Sequence, residues 1–167
     1  TPIPAFSEMN PPLFDYFKQL FAQVTNPPID SIREAVITDT TVYLGVAGNI
    51  LEEKEENCRV LKVKNPILTN LDLMKIRGMN ISNLNVATIS MLYSKDTTLH
   101  DAIENLYAQA DEAHKNGASI LVLSDRGVNS EKMAIPPLLA VSALQQYLVK
   151  TRMNTAISII VNQLKKK

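Results

Sequence analysis

Apolar positions near the start of the chain recur with helical spacing. They fall at offsets 0, 1, 4, 7, 8 and 11 and are Leu13, Phe14, Phe17, Leu20, Phe21 and Val24. One face of an α-helix would carry all of them. Asn10 can cap this helix, and Pro27 disfavours a helical conformation at Asn26. The pattern therefore predicts an amphipathic helix that ends at a stiff corner, Thr25 to Asp30.

The pattern weakens over residues 31 to 85. Ala35 to Leu44 contains β-branched residues without clean alternation, so a strand and a short helix both fit. The following stretch, GVAGNILEEKEENCRVLKVKNPILTN, is polar and rich in turn residues. A long segment of this kind is typical of an extended arm or loop that packs on something else. We expect residues 1–85 to form a helix and an irregular arm.

The second half shows three continuous apolar runs, at Val86–Tyr93, Ala118–Ser124 and Thr155–Val161. Helical patterns separate them, at Leu99–Asn116 and Pro137–Lys150. Apolar runs that alternate with helices are typical of parallel strands buried on both faces. Residues 86–161 are therefore predicted to form a βαβαβ core of the α/β class. The spacing fits either a doubly wound sheet or part of a βα-barrel.

Composition sets limits on function. The chain has 167 residues, of which 46% are hydrophobic, which fits one globular domain. Its 17 basic and 17 acidic residues balance, so no broad positive field is available for nucleic acid or an anionic membrane. No apolar run approaches the ~18 residues needed to cross a bilayer. These features predict a soluble, intracellular protein without nucleic-acid or membrane partners.

Polar residues follow the second apolar run, where parallel α/β units gather their ligands. Ser124, Asp125, Arg126 and Gly127 are therefore candidates for an anion site, with Gly127 permitting a sharp turn. The alternative is that Asp125 and Arg126 satisfy their own loop or contact a neighbouring domain. That alternative has more weight, because the chain contains no glycine-rich phosphate-binding motif.

Other reactive residue types give no catalytic constellation. His100 and His114 lie nearly four turns apart on one predicted helix, so they cannot share a metal, and both are expected at the surface. Cys58 is the single cysteine, and its acidic neighbours disfavour a reactive thiolate. We therefore expect no catalytic residue, metal site or cofactor site in this chain.

Five blocks of sequence occur in the order DYFKQLFAQVTNPPIDSIRE, YLGVAGNILEE, CRVLKVKNPILTN, ILVLSDRGV and AIPPLLAVSAL. Together they resemble the central domain of the glutamate synthase large subunit. The resemblance implies an enzyme that makes two glutamates from glutamine, 2-oxoglutarate and a reductant. It also implies an amidotransferase domain and a domain carrying FMN beside an iron–sulfur cluster, in the same polypeptide.

In that family the central domain joins the other two, resembles the FMN barrel in topology and lines the ammonia path. The resemblance thus implies that residues 1–167 are a single central domain, whole or in part, with no catalytic residues. The enzyme would be cytoplasmic or plastid-located. The corner at Thr25 to Asp30 could hold domains together, with polar contacts from Gln19, Gln23, Asn26 and Asp30. A plain helix stop is the alternative for this stretch.

Two other functions remain open. The first is a free-standing FMN- or phosphate-binding α/β module that uses the loop at Ser124 to Val128. The second is a hydrolase with Asp125 as its base, which ranks last because no residue supplies a nucleophile.

Overall fold

The computed structural model describes residues 29–49, 51–79, 81 and 84–163, so the helix predicted over residues 13–24 lies outside them. The chain divides into two compact units, Thr1–Asp39 and Thr40–Lys167. The described part of the first unit contains helix α1, Ser31–Ile37. This helix has no buried residue, and Ile32 and Val36 are exposed.

The second unit holds the α/β core. Its elements are β1 Val42–Leu44, a 3₁₀ turn Glu55–Cys58, β2 Leu61–Val63, α2 Asn70–Arg77, β3 Asn85–Ser90, β4 Leu92–Ser94, α3 Leu99–Lys115, β5 Ala118–Ser124, β6 Lys132–Ala134, α4 Pro137–Lys150 and β7 Ser158–Asn162. Strands β3, β5 and β7 form a parallel sheet in that order. The predicted α/β class, the parallel βαβαβ order and both crossover helices are therefore confirmed. Within the described residues the sheet is open, and no barrel is formed.

Strand β5 lies at the centre of the core, and all of its residues are buried. Leu121 and Leu123 face a cluster covered by α3 and α4, where Leu106, Leu144 and Leu148 pack without exposure. Ile120 and Val122 face the opposite cluster, which contains Leu44, Leu73, Ile76 and Ile160. Burial on both sides explains why the sequence of β5 is continuously apolar.

The first apolar run does not form one strand. β3 ends at Ser90, and β4 pairs instead with β6 in an antiparallel ladder. Met91 separates them: its N–H donates to the Ser124 carbonyl at 2.9 Å, and its carbonyl accepts from Ile135 N–H at 2.9 Å. The predicted strand Val86–Tyr93 was therefore too long, because the apolar pattern cannot show where the backbone changes partner.

The third run also begins later than predicted. Thr155 and Ala156 lie in turns, and the Thr155 carbonyl accepts from Ala47 N–H at 2.8 Å. The side chain of Ser158 then donates to the Gly45 carbonyl and accepts from Gly45 N–H, at 3.1 and 3.0 Å. These bonds hold the end of β1 beside the start of β7.

The arm contains more regular structure than its pattern predicted. Both alternatives for Ala35 to Leu44 occur, since α1 ends at Ile37 and β1 begins at Val42. The stretch expected to be irregular contains the 3₁₀ turn and β2, which pairs antiparallel with β1. Helix α2 was missed altogether. Among the described helices, none has the length and hydrophobicity that crossing a bilayer requires.

Candidate functional site

Ser124 and Asp125 lie at the carboxyl end of β5, where the sequence placed a possible anion site. Both are 7% exposed. The Ser124 hydroxyl accepts from Arg126 N–H at 3.3 Å, and Asp125 N–H donates to the Asn162 carbonyl at 3.4 Å. The Ser124 side chain and the Asp125 N–H therefore already form hydrogen bonds with residues at this end of the sheet.

Arg126 and Gly127 turn the chain away from β5. Arg126 is exposed, and its guanidinium lies 3.5 Å from Asn162 Oδ1. Gly127 has φ +102°, and a Cβ there would lie 3.3 Å from the Leu92 side chain, so the turn requires glycine. The loop then enters β6 before it reaches α4. The sequence pattern had indicated that the loop leads directly into helix α4, and this expectation was wrong because β6 lies between them.

A cleft of about 790 Å³ lies beside this loop. Its lining, in order, is Val42, Leu44, Val63, Asn65 to Asn70, Leu73, Arg126 and Ile159 to Gln163. The walls are mainly apolar, whereas Arg126, Asn162, Thr69 and Asn70 supply polar groups. Ligand pockets in proteins commonly have volumes of this order and mainly apolar walls with a few polar groups. Of the predicted anion-site residues, the cleft contains Arg126 alone.

The four candidates for interdomain contacts divide between described and undescribed residues. Gln19, Gln23 and Asn26 lie outside the described part of the chain. Asp30 caps α1, and its carboxylate accepts from Ile32 N–H at 3.0 Å and Arg33 N–H at 2.8 Å. Asp30 is exposed, so the same carboxylate remains accessible while it caps the helix.

A polar cluster between α3 and α4 was not found from the sequence. Tyr107 and Tyr147 stack with ring centroids 4.4 Å apart, and the Tyr147 hydroxyl donates to Asp111 Oδ2 at 2.7 Å. That hydrogen bond to a carboxylate, followed by burial, raises the pKa of Tyr147. Burial, followed by the charge of Glu104, raises the pKa of Tyr107.

His114 belongs to the same region and corrects an expectation. It is half-buried, and its Nδ1 is a buried atom without a hydrogen-bond partner in the described chain, as is Asp111 Oδ1. His114 is therefore not a simple surface histidine, although His100 is exposed as predicted. The available signal was the spacing of Tyr107, Asp111 and His114 at i, i+4 and i+7 on one helix face.

The remaining chemical candidates are isolated. Cys58 is exposed at the end of the 3₁₀ turn. Its charged neighbourhood includes contacts of Glu52 with Lys54 and of Glu55 with Arg59. In the described part of the chain, no three histidine, cysteine or acidic residues come together as they would around a metal.

Comparison with known proteins places the chain in a larger context. The family model for the glutamate synthase central domain matches residues 1–165. The glutamate synthase [NADPH] large chain of Bacillus subtilis (strain 168) is 42% identical over 160 residues, which cover 96% of this chain and 10% of that protein. The glutamate synthase [NADH] of Schizosaccharomyces pombe is 38% identical, covering 89% of this chain and 7% of the relative.

The ferredoxin-dependent glutamate synthase 2, chloroplastic, of Arabidopsis thaliana is 37% identical over 166 residues, which cover 97% of this chain and 10% of the relative. The chain thus spans about a tenth of the length of the curated relatives it matches. Relatives named for three different reductants share this same region. Since the family model matches nearly every residue, the chain belongs to the glutamate synthase central domain family.

Proposed function

We propose that this domain couples the catalytic domains of a glutamate synthase and contributes no catalytic residue of its own. The observation that carries the proposal is the match to the central domain over residues 1–165, within relatives about ten times longer. A region that makes up a tenth of such enzymes leaves room for separate amidotransferase and FMN domains. Those domains are the proposed partners.

The proposed reaction of the whole enzyme converts glutamine, 2-oxoglutarate and a reductant into two glutamates. FMN and an iron–sulfur cluster would be held by other parts of that polypeptide and would carry the electrons. Relatives named for NADPH, NADH and ferredoxin leave the reductant of this enzyme open. A cytoplasmic enzyme is proposed, with a plastid location as the alternative that the chloroplastic relative supports.

The coupling role concerns how ammonia passes between domains. A protein wall with fixed geometry would keep ammonia from escaping to water, so this domain would act by position. Two features support the role: the parallel βαβαβ order, which an FMN-type βα-barrel would also have, and the two consecutive prolines Pro27 and Pro28 of the sequence, which lie outside the described residues. Prolines restrict a loop before it makes contact and so reduce the entropy lost at assembly. Gln19, Gln23, Asn26 and Asp30 are the proposed contact residues.

The absence of independent catalysis can be tested on the 167-residue chain. We expect neither release of ammonia from glutamine nor oxidation of reduced flavin or nicotinamide that depends on 2-oxoglutarate. Turnover that survives repurification would contradict the proposal. The sequence on both sides of Thr1 and Lys167 tests the context, since amidotransferase sequence should precede this region and FMN-barrel sequence should follow it.

A second candidate function is a free-standing module that binds FMN or phosphate. The observation in its favour is the cleft beside β7, with Arg126 in its lining. Against it, the Ser124 hydroxyl already bonds within its own loop. Titration with FMN, followed by quenching of flavin fluorescence, separates the two functions. Tight binding that Arg126→Gln weakens would favour the module.

A further inference from the structure

Among the described strands, β7 has a partner along one edge only. It pairs with β5 on one side, and Asp125 N–H donates to the Asn162 carbonyl, so the backbone of Asn162 faces β5. Both backbone groups of one residue in a parallel strand point to the same side, and the side alternates along the strand. The backbone of Ile160 therefore also faces β5, whereas Ile159 and Val161 direct their N–H and C=O groups outward.

The neighbouring strand supports this assignment. Ser124 lies opposite Asn162 in the register, and its carbonyl accepts from Met91 N–H on the far side of β5, as the alternation requires. The outward backbone groups of Ile159 and Val161 have no hydrogen-bond partner among the described residues. Such groups must find partners wherever other protein covers them.

The 790 Å³ cleft runs along this same edge. Five consecutive residues, Ile159 to Gln163, form one side of it. Val42, Leu44, Val63 and Leu73 line it as well, from β1, β2 and α2. A row of unpaired backbone groups beside apolar side chains is the arrangement that receives an added β-strand. The other edge strand, β3, borders a cleft of about 400 Å³ that is lined partly by Gln109, Glu112 and Asn116, which suits a buried strand less well.

We propose that this cleft receives an extended segment of the same, longer polypeptide, which adds a fourth strand parallel to β7. The sheet order supplies the argument for this occupant. From β3 to β5 to β7, each crossover adds the next strand on the same side. A further right-handed βα unit would place its strand against the edge of β7 that no described strand covers. The proposal rests on the proposed function in one respect, since the longer polypeptide provides the segment.

The cleft also defines what the segment looks like. About four extended residues span the edge from Ile159 to Gln163. Side chains directed toward the floor meet Leu44, Leu73 and Ile160, so they are apolar. The carboxyl end of a parallel strand reaches Arg126, which forms no ion pair with a described carboxylate. An acidic residue is therefore expected at that end of the segment.

Hydrogen exchange of backbone amides tests strand addition directly. In the 167-residue chain, the amides of Ile160 and Asn162 should exchange slowly, whereas that of Val161 should exchange fast. In the full-length polypeptide, the Val161 amide should become protected by at least about tenfold. A Val161 amide that stays unprotected there overturns the proposal. The Val161 amide could instead already be protected in the 167-residue chain, with protection that rises with the concentration of the chain. The occupant would then be a second copy, and this result would also overturn the proposal.

A proline substitution provides an independent readout. Val161→Pro removes an outward N–H, which an edge strand tolerates, so the 167-residue chain should keep its melting temperature nearly unchanged. The full-length polypeptide should lose melting temperature. Val161→Thr keeps both the N–H and the branched shape and is the matched control, whereas Ile160→Pro removes an inward bond and should unfold both forms. Equal effects of Val161→Pro and Val161→Thr in the full-length polypeptide would contradict strand addition.

Failure of this inference is distinguishable from failure of the coupling function. Strand addition is measured by protection of one amide, whatever activity the polypeptide shows. Coupling is measured by the consumption of glutamine and reductant. A polypeptide can therefore fail one test and pass the other.

Discussion

At the scale of single residues, one hydroxyl makes a hydrogen bond between α3 and α4. Tyr147 donates to Asp111 Oδ2, while Asp111 Oδ1 is buried without a partner among the described residues. Tyr147→Phe would leave the carboxylate without this donor, so we expect a loss of about 1 to 3 kcal/mol in the free energy of unfolding. Urea denaturation of the 167-residue chain measures it.

Tyr107→Phe is the matched control, since it keeps the aromatic stack and removes a hydroxyl for which no hydrogen bond is found within the described residues. Its cost should be clearly smaller. Equal losses in the two variants would mean that the stack matters and the hydrogen bond does not.

The same tyrosine predicts a loss of stability at alkaline pH. The hydrogen bond to Asp111, with burial, raises the pKa of Tyr147 above its ordinary value of 10.0. The folded state therefore holds this proton more tightly than the unfolded state. Its contribution is complete below pH 10 and is lost as the pH rises through the folded pKa. The decline in the urea midpoint above about pH 10 should be steeper in the unchanged protein than in Tyr147→Phe. Parallel curves would contradict the assignment.

Asp30 provides a prediction about α1. Asp30→Ala removes the acceptor for Ile32 and Arg33 N–H and should cost about 1 kcal/mol of local helix stability. Asp30→Asn should retain most of the cap. Because α1 lies in the first compact unit, the measurement has to be local, and ¹³Cα chemical shifts over residues 31–37 report it. Unchanged shifts in Asp30→Ala would show that the cap is unimportant.

At the scale of elements, α2 depends on its N-terminal cap. The Thr69 hydroxyl accepts from Asp72 N–H at 3.2 Å, and Thr69 N–H donates to the Asp72 carboxylate at 3.1 Å. Because Leu73 and Ile76 pack into the core, Thr69→Ala should lower the free energy of global unfolding by about 1 kcal/mol. Thr69→Ser keeps the hydroxyl and is the control. Equal effects of the two substitutions would contradict the capping role.

The cap also predicts an acid dependence. Hydrogen bonds from Thr69 lower the pKa of Asp72 below 3.8. This contribution is present above pH 3.8 and is lost as the pH falls through the folded pKa. As the pH falls through this range, the free energy of unfolding should therefore decrease less steeply in Thr69→Ala than in the unchanged protein.

Sequence patterns predicted those elements whose burial leaves a clear period. β5 is buried on both faces, and α3 buries one stripe, so their apolar positions were sufficient to locate them. α2 buries only Leu73 and Ile76, which is too few positions for a visible period. Its signal was the pair Thr69 and Asp72, which marks a helix start without indicating how far the helix continues.

Site residues were less predictable than elements. Arg126, an anion-site candidate from the sequence, lines a cleft, but that cleft combines β1, β2, α2 and β7, and no local pattern shows that these segments meet. The break at Met91 has the same cause, because its hydrogen bonds reach Ser124 and Ile135. Both features are determined by contacts between residues distant in sequence, which a local hydrophobic pattern does not predict.

At the scale of the whole molecule, the proposed role of this domain depends on its position between other domains. The chain belongs to the central domain family and spans about a tenth of the length of its relatives. Both findings support the proposal that it is one domain of a longer polypeptide. The segments proposed to hold it are the sequence around Pro27 and Pro28, two prolines that lie outside the described residues, and the edge of β7 that no described strand covers. Changes at such surfaces should affect communication between active sites more than either chemical step.

The ratio of glutamine consumed to reducing equivalents oxidised measures this communication in the full-length enzyme. Asn26→Ala combined with Asp30→Asn would remove the Asn26 amide and the Asp30 charge from the proposed contacts, while the asparagine can still cap α1. We expect this ratio to rise, because ammonia would escape before it is used, while the melting temperature of the 167-residue chain stays nearly unchanged. An unchanged ratio, with both rates falling together or with a large loss of melting temperature, would contradict the coupling role.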